Sequence, residues 1–286
     1  ESKLNNVLNF YDVFFISIGH IVGAGIYTLL YLTTQQGGNF TWLSFLIGGV
    51  ISICTGLSYA ELTRHYDSNA TEYDYFNKTI TPKFKYSIAT VLILKGIFLS
   101  ITLLLAFSNL SHQLLGKKIP YSLIALLSIS IPTLINIYDV KFTSNFNIGI
   151  SFTETFVLIV LVVLGFNHWN FNSIFTGFNF NGIIYGAFLS VLAYSGYETL
   201  PKLSEETKDS KNVIPNAIIS SLIVIIILYS LVSITTNSVL GSKEVSNCLN
   251  PITKTFEKLT TYNINGIINF VTLFSMFNTI LLTILI

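Results

Sequence analysis

The sequence contains few charged residues. Asp, Glu, Lys and Arg make up 10% of its 286 residues, whereas hydrophobic residues make up 51%. Soluble globular domains carry about 25% charged residues, so this composition excludes an ordinary soluble domain and indicates an integral membrane protein. The net charge is only +1 and no basic cluster is present, which argues against a nucleic-acid partner.

Residue patterns that carry catalytic or metal chemistry are scarce as well. Cys54 and Cys248 lie in an apolar run and in a loop, without the spacing of a disulfide framework or a metal site. The sequence lacks H-E-x-x-H and G-x-S-x-G motifs, which argues against an intramembrane enzyme. It also lacks a Walker motif, so ATP is not expected to drive it directly. We predict neither a metal ion nor a cofactor.

Long apolar runs are what the sequence does contain. A helix needs roughly 17 to 25 residues to cross the hydrocarbon, and runs of that length recur along the chain. We therefore predict an all-α membrane protein with eight spans, near residues 11–33, 41–64, 86–112, 119–137, 146–166, 182–200, 213–239 and 264–286. An amphipathic stretch at 252–259 predicts a short helix on the membrane surface.

Lys and Arg are divided unevenly between the two sets of loops. Nine lie on the side of the N-terminus and five on the opposite side, while Lys95 falls inside a predicted span. The N-terminus is therefore expected to be cytoplasmic, in a plasma or organelle membrane that the sequence does not distinguish. The chain begins without methionine and stops inside its last apolar run, so we expect a fragment cut within the eighth span.

Two of the predicted spans are interrupted by residues that let a backbone unwind. Gly23-Ala24-Gly25 interrupts the first, and Ser-Gly-Tyr-Glu-Thr at 195–199 interrupts the sixth. Interrupted spans at corresponding positions of two repeats point to the substrate site of a transporter. The two spans run in opposite directions. We therefore predict one domain, 1–286, with an inverted repeat over about 11–166 and an incomplete second copy over about 182–286.

The two interruptions predict a receptor for a zwitterion. A half-helix beginning at Ala24 and Gly25 would offer N–H donors to a carboxylate, and carbonyls near Ser195 would face an ammonium group. The candidate substrate-binding residues are Ile21, Gly23, Ala24, Gly25, Leu192, Tyr194, Ser195, Gly196 and Glu198. In the alternative interpretation, the small residues only permit tight helix packing.

Three charged side chains are expected deep within the membrane, where burying a charge is costly. Glu198 would contact a cationic substrate or carry a proton, or alternatively cap the new half-helix. Lys95 would form a salt bridge with Glu154 or Glu198, or extend to the membrane interface. Glu154 would form a structural ion pair or take part in coupling. His20 would relay protons or pack with a single hydrogen bond.

Three ordered motifs resemble a known family. I-G-H-I-V-G-A-G-I-Y at 18–27 resembles the first helix of the amino acid–polyamine–organocation (APC) permeases, and S-Y-A-E-L at 58–62 resembles the end of their second helix. A-Y-S-G-Y at 193–197, with L-S-E-E-T-K at 203–208 and I-P-N-A-I at 214–218, is similar to the family's sixth-helix signature. The resemblance implies a LeuT-type fold of two inverted five-helix repeats with discontinuous helices 1 and 6.

The resemblance also implies a secondary transporter that moves amino acids by alternating access, as a proton-coupled symporter or as an antiporter. Its partners would be a small-molecule amino acid and the lipid bilayer, and an accessory subunit is left open. The alternatives are an amino-acid sensor of transporter ancestry that does not turn over, and a polyamine as substrate. Glu198 favours a cationic substrate, whereas a neutralising Lys95 favours neutral amino acids.

Overall fold

The computed structural model describes residues 7–66, 71–79, 84–115, 119–138, 140–260 and 265–285. The α-helices are α1 (Phe10–Gly37), α2 (Thr41–His65), α3 (Thr71–Thr79), α4 (Lys85–Leu114), α5 (Tyr121–Tyr138), α6 (Val140–Gly165), α7 (Phe171–Ile174), α8 (Phe180–Ala193), α9 (Ser210–Leu240), α10 (Ser242–Ser246), α11 (Pro251–Leu259) and α12 (Asn265–Leu285). Short 3₁₀ helices occupy Gly38–Phe40, Phe166–His168 and Tyr197–Glu206. The predicted all-α fold is confirmed. Lys3, Lys83, Lys117 and Lys118, which count in the loop charge asymmetry, lie outside the described residues.

Each predicted span overlaps one of the longer helices, which are α1, α2, α4, α5, α6, α8, α9 and α12. Within the described residues, five stretches are long and apolar enough to cross a membrane, namely Gly25–His65, Tyr86–His112, Phe146–His168, Ser210–Leu240 and Gly266–Ile284. The fourth and sixth predicted spans are not among them, because the apolar helix Tyr121–Ile137 is too short and α8 ends after 14 residues. The predicted amphipathic helix at 252–259 is confirmed as α11, which buries Ile252 and Phe256.

A capping box begins α1. The side-chain oxygen of Asn9 accepts hydrogen bonds from the N–H groups of Tyr11 and Asp12, and the Asp12 carboxylate accepts the N–H of Asn9 at 2.8 Å. Reciprocal bonds of this kind satisfy N–H groups that have no partner within the helix, and a cap contributes about 1 kcal/mol. The Asn-x-x-Asp pattern thus determines where the first helix starts.

The residues just before α1 are tied to the segment that follows the interrupted helix. The N–H groups of Val7 and Leu8 both donate to the carbonyl of Glu206 at 2.9 Å, and the N–H of Lys208 donates to the carbonyl of Leu8 at 2.9 Å. These bonds make the parallel bridge between Leu8 and Thr207. Two segments about 200 residues apart in the chain are therefore held together by main-chain bonds.

The predicted break in the first span is wrong, because α1 is continuous through Gly23 and Gly25. The physical reason is close packing against neighbouring helices. A Cβ atom on Gly23 would overlap the Thr279 hydroxyl of α12, and one on Gly25 would stand 2.5 Å from the carbonyl oxygen of Ala193. The glycines therefore let two neighbours approach the backbone of α1, which is the packing interpretation.

The predicted interruption of the sixth span is present. α8 ends at Ala193, the N–H of Tyr194 closes its last turn, and a 3₁₀ helix begins at Tyr197. Between them Gly196 adopts a φ of 135°, a conformation that side chains disfavour and glycine tolerates. The chain therefore changes direction at Gly196 and continues as a more tightly wound helix.

Long helices distant in the chain pack against each other, among them α1 on α8, α2 on α9 and α4 on α12. Three buried aromatic rings fill the space between α2, α8 and α9. The centroid of the Tyr229 ring lies 5.7 Å from that of Phe45 and 5.4 Å from that of Tyr194. The Tyr194 hydroxyl donates to the carbonyl of Phe45 at 3.0 Å, which satisfies a buried polar group. This aromatic core supports the end of α8 at the interruption.

Candidate functional site

A cavity of about 670 Å³ lies where the interrupted helix meets α1, α4 and α12. Small-molecule sites typically measure roughly 300 to 1,000 Å³, so the volume suits a small ligand. The interruption, α1, α4 and α12 all contribute residues to its wall. Residues of the wall include His20, Ile21, Gly25, Lys95, Ser195, Gly196, Glu198, Thr199, Thr279 and Thr283.

Glu198 turns its carboxylate back onto the interruption. Its Oε2 accepts the N–H of Gly196 at 2.6 Å, and its Oε1 accepts the hydroxyl of Ser195 at 2.7 Å. A carboxylate near the start of a helix is stabilised by the N–H groups exposed there. Glu198 thus caps the resumed 3₁₀ helix and at the same time lines the cavity, with 12% of its side chain exposed.

Lys95 reaches the same carboxylate from α4. Its Nζ atom lies 3.2 Å from Oε1 of Glu198. The Lys95 side chain is 51% exposed, so the ion pair lies at the cavity wall and not in a sealed core. A carboxylate within a membrane protein is costly unless a positive charge compensates it, and Lys95 supplies that charge. Of the two acidic partners considered for Lys95, the structure brings Glu198 into contact.

His20 connects α1 with both the interruption and α12. Its Nδ1 lies 3.0 Å from the hydroxyl oxygen of Thr199, and its Nε2 lies 3.5 Å from that of Thr283. The Thr199 hydroxyl donates its one proton to the carbonyl of Gly196 at 2.5 Å. Its oxygen can therefore only accept from His20, which places a proton on Nδ1. The Thr283 hydroxyl donates its one proton to the carbonyl of Thr279 at 2.7 Å, so it has none left for Nε2. A neutral His20 therefore makes one of these two hydrogen bonds, the one to Thr199.

Glu154 lies apart from the Lys95–Glu198 pair. It is fully buried on α6, with Ser275 of α12 as its polar neighbour and Tyr27 and Tyr229 within electrostatic range. It does not contribute to the cavity wall. The structure therefore separates Glu154 from the two charges with which the sequence analysis grouped it.

Six of the nine predicted substrate-binding residues line the cavity, namely Ile21, Gly25, Leu192, Ser195, Gly196 and Glu198. Gly23 does not, because Thr279 of α12 packs on it, and Tyr194 does not, because its ring belongs to the aromatic core. Ala24 is part of α1, and its side chain lies outside the described part of the structure.

The wall residues on α4 and α12 and two further charged residues of the wall were not predicted from the sequence. The residues concerned are Leu92, Ile93, Gly96, Leu99, Thr102, Leu103, Thr279, Thr283, Glu72 and Lys202. One signal was available on α12, where Ser275, Thr279 and Thr283 recur at every fourth position of an apolar helix. That spacing places three hydroxyls on one helix face, which indicates a polar surface inside the protein.

The wall combines balanced charges with a large apolar surface. Its acidic residues are Glu72 and Glu198, and its lysines are Lys95 and Lys202. Because these four formal charges cancel, the wall suits a small molecule that itself carries charges of both signs. The interruption adds main-chain carbonyls at the end of α8, which present partial negative charge.

Curated proteins similar to the chain are transport proteins. The cationic amino acid transporter 3, mitochondrial, of Arabidopsis thaliana is 25% identical over 260 residues, which are 82% of this chain and 42% of that protein. The inner membrane transport protein YbaT of Escherichia coli (strain K12) is 25% identical over 234 residues, 79% of this chain and 54% of that protein. The branched-chain amino acid permease BcaP of Bacillus subtilis (strain 168) is 22% identical over an alignment of 291 residues, which covers 94% of this chain and 62% of that protein. The chain spans about half the length of the curated relatives it matches.

A family comparison covers nearly the whole chain. Residues 8–286 match the amino acid permease family, whose members are transport proteins and not enzymes. The apolar helices long enough to cross a membrane agree with that match. The chain is therefore an integral membrane protein and belongs to the amino acid permease family.

Proposed function

We propose that the chain forms the substrate-binding part of a secondary active transporter, which carries an amino acid across the membrane by alternating access. The observation that carries this proposal is the cavity at the interruption after Ala193. Irregular backbone at membrane depth is tolerated where it lines a cavity, and transporters place their substrates at such positions.

Each charged end of an amino acid has a proposed partner in the wall. The substrate ammonium faces the end of α8 at Leu192 and Ser195, where the helix dipole is negative. The substrate carboxylate faces Lys202. We assign it to Lys202 and not to Ala24 or Gly25, because the unbroken course of α1 uses the N–H groups of those two residues within the helix.

We further propose the LeuT-type inverted repeat for this single domain, with one repeat over about 11–166 and another over about 182–286. The pairing of α1 with α8, α2 with α9 and α4 with α12 supports it, because these are the first, second and third spans of the two repeats. The excess of basic residues in one set of loops supports a cytoplasmic N-terminus.

The transport energy would come from a proton gradient or from exchange. Glu154 is the candidate proton carrier within the bundle, since its fully buried carboxyl lies beside Ser275 and α1. The ion-paired Glu198 is the second candidate. The names of the relatives, which specify cationic and branched-chain amino acids, favour an amino acid over a polyamine as the substrate.

Flux through liposomes tests the proposal. The purified chain is reconstituted, and uptake of a radiolabelled amino-acid mixture is compared with uptake by protein-free liposomes, with either an inward proton gradient or unlabelled amino acids inside. Uptake above the protein-free control supports transport, and the condition that stimulates it identifies proton coupling or exchange. Amino-acid binding without uptake under both conditions would instead support the sensor, and the lack of both would overturn the proposed function.

A further inference from the structure

The charges of the cavity wall determine which amino acids can bind there. The inference about substrate choice rests on the proposed function. Among the described residues, the wall contains the two carboxylates Glu72 and Glu198 and the two lysines Lys95 and Lys202. A cationic substrate side chain needs a carboxylate that is free to receive it. The contacts of the two carboxylates therefore decide whether such a site exists.

The Glu198 carboxylate is already compensated by the protein. Its Oε1 receives the Ser195 hydroxyl at 2.7 Å and the Lys95 ammonium at 3.2 Å, and its Oε2 receives the Gly196 N–H at 2.6 Å. A cationic side chain would have to displace the Lys95 ammonium and then share the cavity with it. Two like charges in a partly dehydrated site repel strongly, so this exchange is unfavourable.

The Glu72 carboxylate is also occupied. Its Oε2 accepts the hydroxyl of Thr71, and its Oε1 accepts the hydroxyl of Tyr59 at 3.3 Å. Both of its oxygens are therefore engaged by neutral hydroxyls of the protein. Both carboxylates of the wall are thus already hydrogen-bonded within the protein, and Glu198 is in addition paired with Lys95.

A large part of the wall is apolar. It includes the aliphatic side chains of Leu29, Leu92, Ile93, Leu99, Leu103 and Leu192. An apolar substrate side chain gains free energy by leaving water for such a surface, whereas a charged one loses its hydration.

We infer that the cavity selects α-amino acids with uncharged, apolar side chains, and that Lys95 is the residue that excludes cationic ones by neutralising Glu198. Lys95 is a specificity-determining residue in this assignment. Replacing Lys95 by an uncharged side chain of similar length is expected to convert Glu198 into a site for a cationic side chain.

The first measurement is the thermal unfolding of the purified chain, titrated with leucine, phenylalanine, arginine and lysine. The expected result is a rise in Tm with leucine or phenylalanine, while arginine needs concentrations about tenfold higher or more for the same rise. Arginine acting at the same concentrations as leucine would overturn the inference and leave the proposed function standing. If none of the four amino acids changes Tm and the liposome assay shows no uptake, the proposed function itself fails.

The second measurement uses Lys95→Met, with Lys254→Met as its matched control. Lys254 also pairs with a glutamate, at 2.8 Å from Oε1 of Glu244, but lies outside the cavity wall. Lys95→Met should gain about tenfold in apparent affinity for arginine relative to leucine, whereas Lys254→Met should keep the wild-type preference. An unchanged preference in Lys95→Met would overturn the role of Lys95.

A third variant covers the case in which Lys95→Met does not fold. Glu198→Gln removes the negative partner and leaves the Lys95 charge uncompensated. The cavity should then reject arginine and lysine completely and bind glutamate. Glutamate should not change the Tm of the wild-type chain. A Glu198→Gln variant that binds arginine as the wild type does would contradict the assignment.

Discussion

The hydroxyl of Tyr229 donates a hydrogen bond to the main-chain carbonyl of Ile21 over 3.0 Å. Ile21 belongs to the cavity wall, and Tyr229 is fully buried on α9 within the aromatic core. Ser275 of α12 makes a similar bond, at 3.0 Å, to the carbonyl of Gly23. Hydroxyls from two neighbouring helices therefore hold α1 at the level of its glycines, next to the site.

Tyr229→Phe should lower the stability of the chain by about 1 kcal/mol, because it removes one buried hydrogen bond and leaves a carbonyl with one partner fewer. The ring packing against Phe45 and Tyr194 is retained in this variant. The measurement is the Tm of the purified protein in one detergent. Tyr185→Phe is the control, since Tyr185 is 65% exposed on α8 and should tolerate the change. Equal effects of the two substitutions would contradict the prediction.

Gly25→Ala should separate α1 from α8. The added methyl group would stand 2.5 Å from the carbonyl oxygen of Ala193, and overpacking of this kind costs about 1 to 3 kcal/mol. We expect a lower Tm and a loss of the leucine-induced rise in Tm. Gly96→Ala is the matched control, because Gly96 also lines the cavity but a Cβ there meets nothing within 4 Å. A Gly25→Ala protein with normal leucine binding would show that this close approach is not needed.

Gly196→Ala should impair the interruption itself. At a φ of 135° an alanine is strained by about 1 to 3 kcal/mol, and its Cβ would lie 3.0 Å from the carbonyl carbon of His20. Gly241→Ala is the control for strain alone, since Gly241 has a φ of 85° with open space around it. Both variants should have a lower Tm, but only Gly196→Ala should lose amino-acid binding and uptake. Loss of uptake in both would show that reduced stability is the cause.

The ion pairs between α10 and α11 should make stability depend on pH. Hydrogen bonds from Lys254 and Lys258, at 2.8 and 2.9 Å, hold the pKa of the Glu244 carboxyl below its ordinary value of 4.5. A lowered pKa in the folded state contributes stability above the ordinary pKa, and this contribution is lost as the pH falls through the lowered pKa. The Tm difference between wild type and Glu244→Gln should therefore be small but positive at neutral pH and should disappear in acid. A difference that is as large in acid as at neutral pH would contradict this.

The sequence alone predicted the helices better than their interruptions. Apolar length located the spans, because any chain that crosses the hydrocarbon must satisfy its backbone within a helix. It did not distinguish Gly25 from Gly196. At Gly196 the backbone adopts a positive φ, whereas Gly25 stays helical and faces the carbonyl of Ala193. Which of these roles a glycine has depends on the neighbour that packs against it, and that neighbour is distant in sequence.

The cavity wall likewise depends on neighbours that are distant in sequence, so only part of it could be predicted. The contact between Lys95 and Glu198 was one of the possibilities that the sequence allowed, since two opposite charges within spans are expected to seek each other. Glu72 and Lys202 were not predicted as part of the wall, because Glu72 lies at the start of α3 and Lys202 just beyond the predicted sixth span, where charged residues ordinarily face water. Only the packing of α3 and of the 3₁₀ segment beside α4 and α1 brings them to the wall.

The bonds at Leu8 have a mechanical consequence. They join the residues just before α1 to residues 206–208, at the C-terminal end of the 3₁₀ helix that contains Glu198. Because α1 continues unbroken to Gly37, a tilt of that long rod displaces the joined segment as well. Opening one face of the protein would therefore shift the Glu198 carboxylate relative to Lys95 on α4, so the same motion that exposes the cavity would also alter its charge balance.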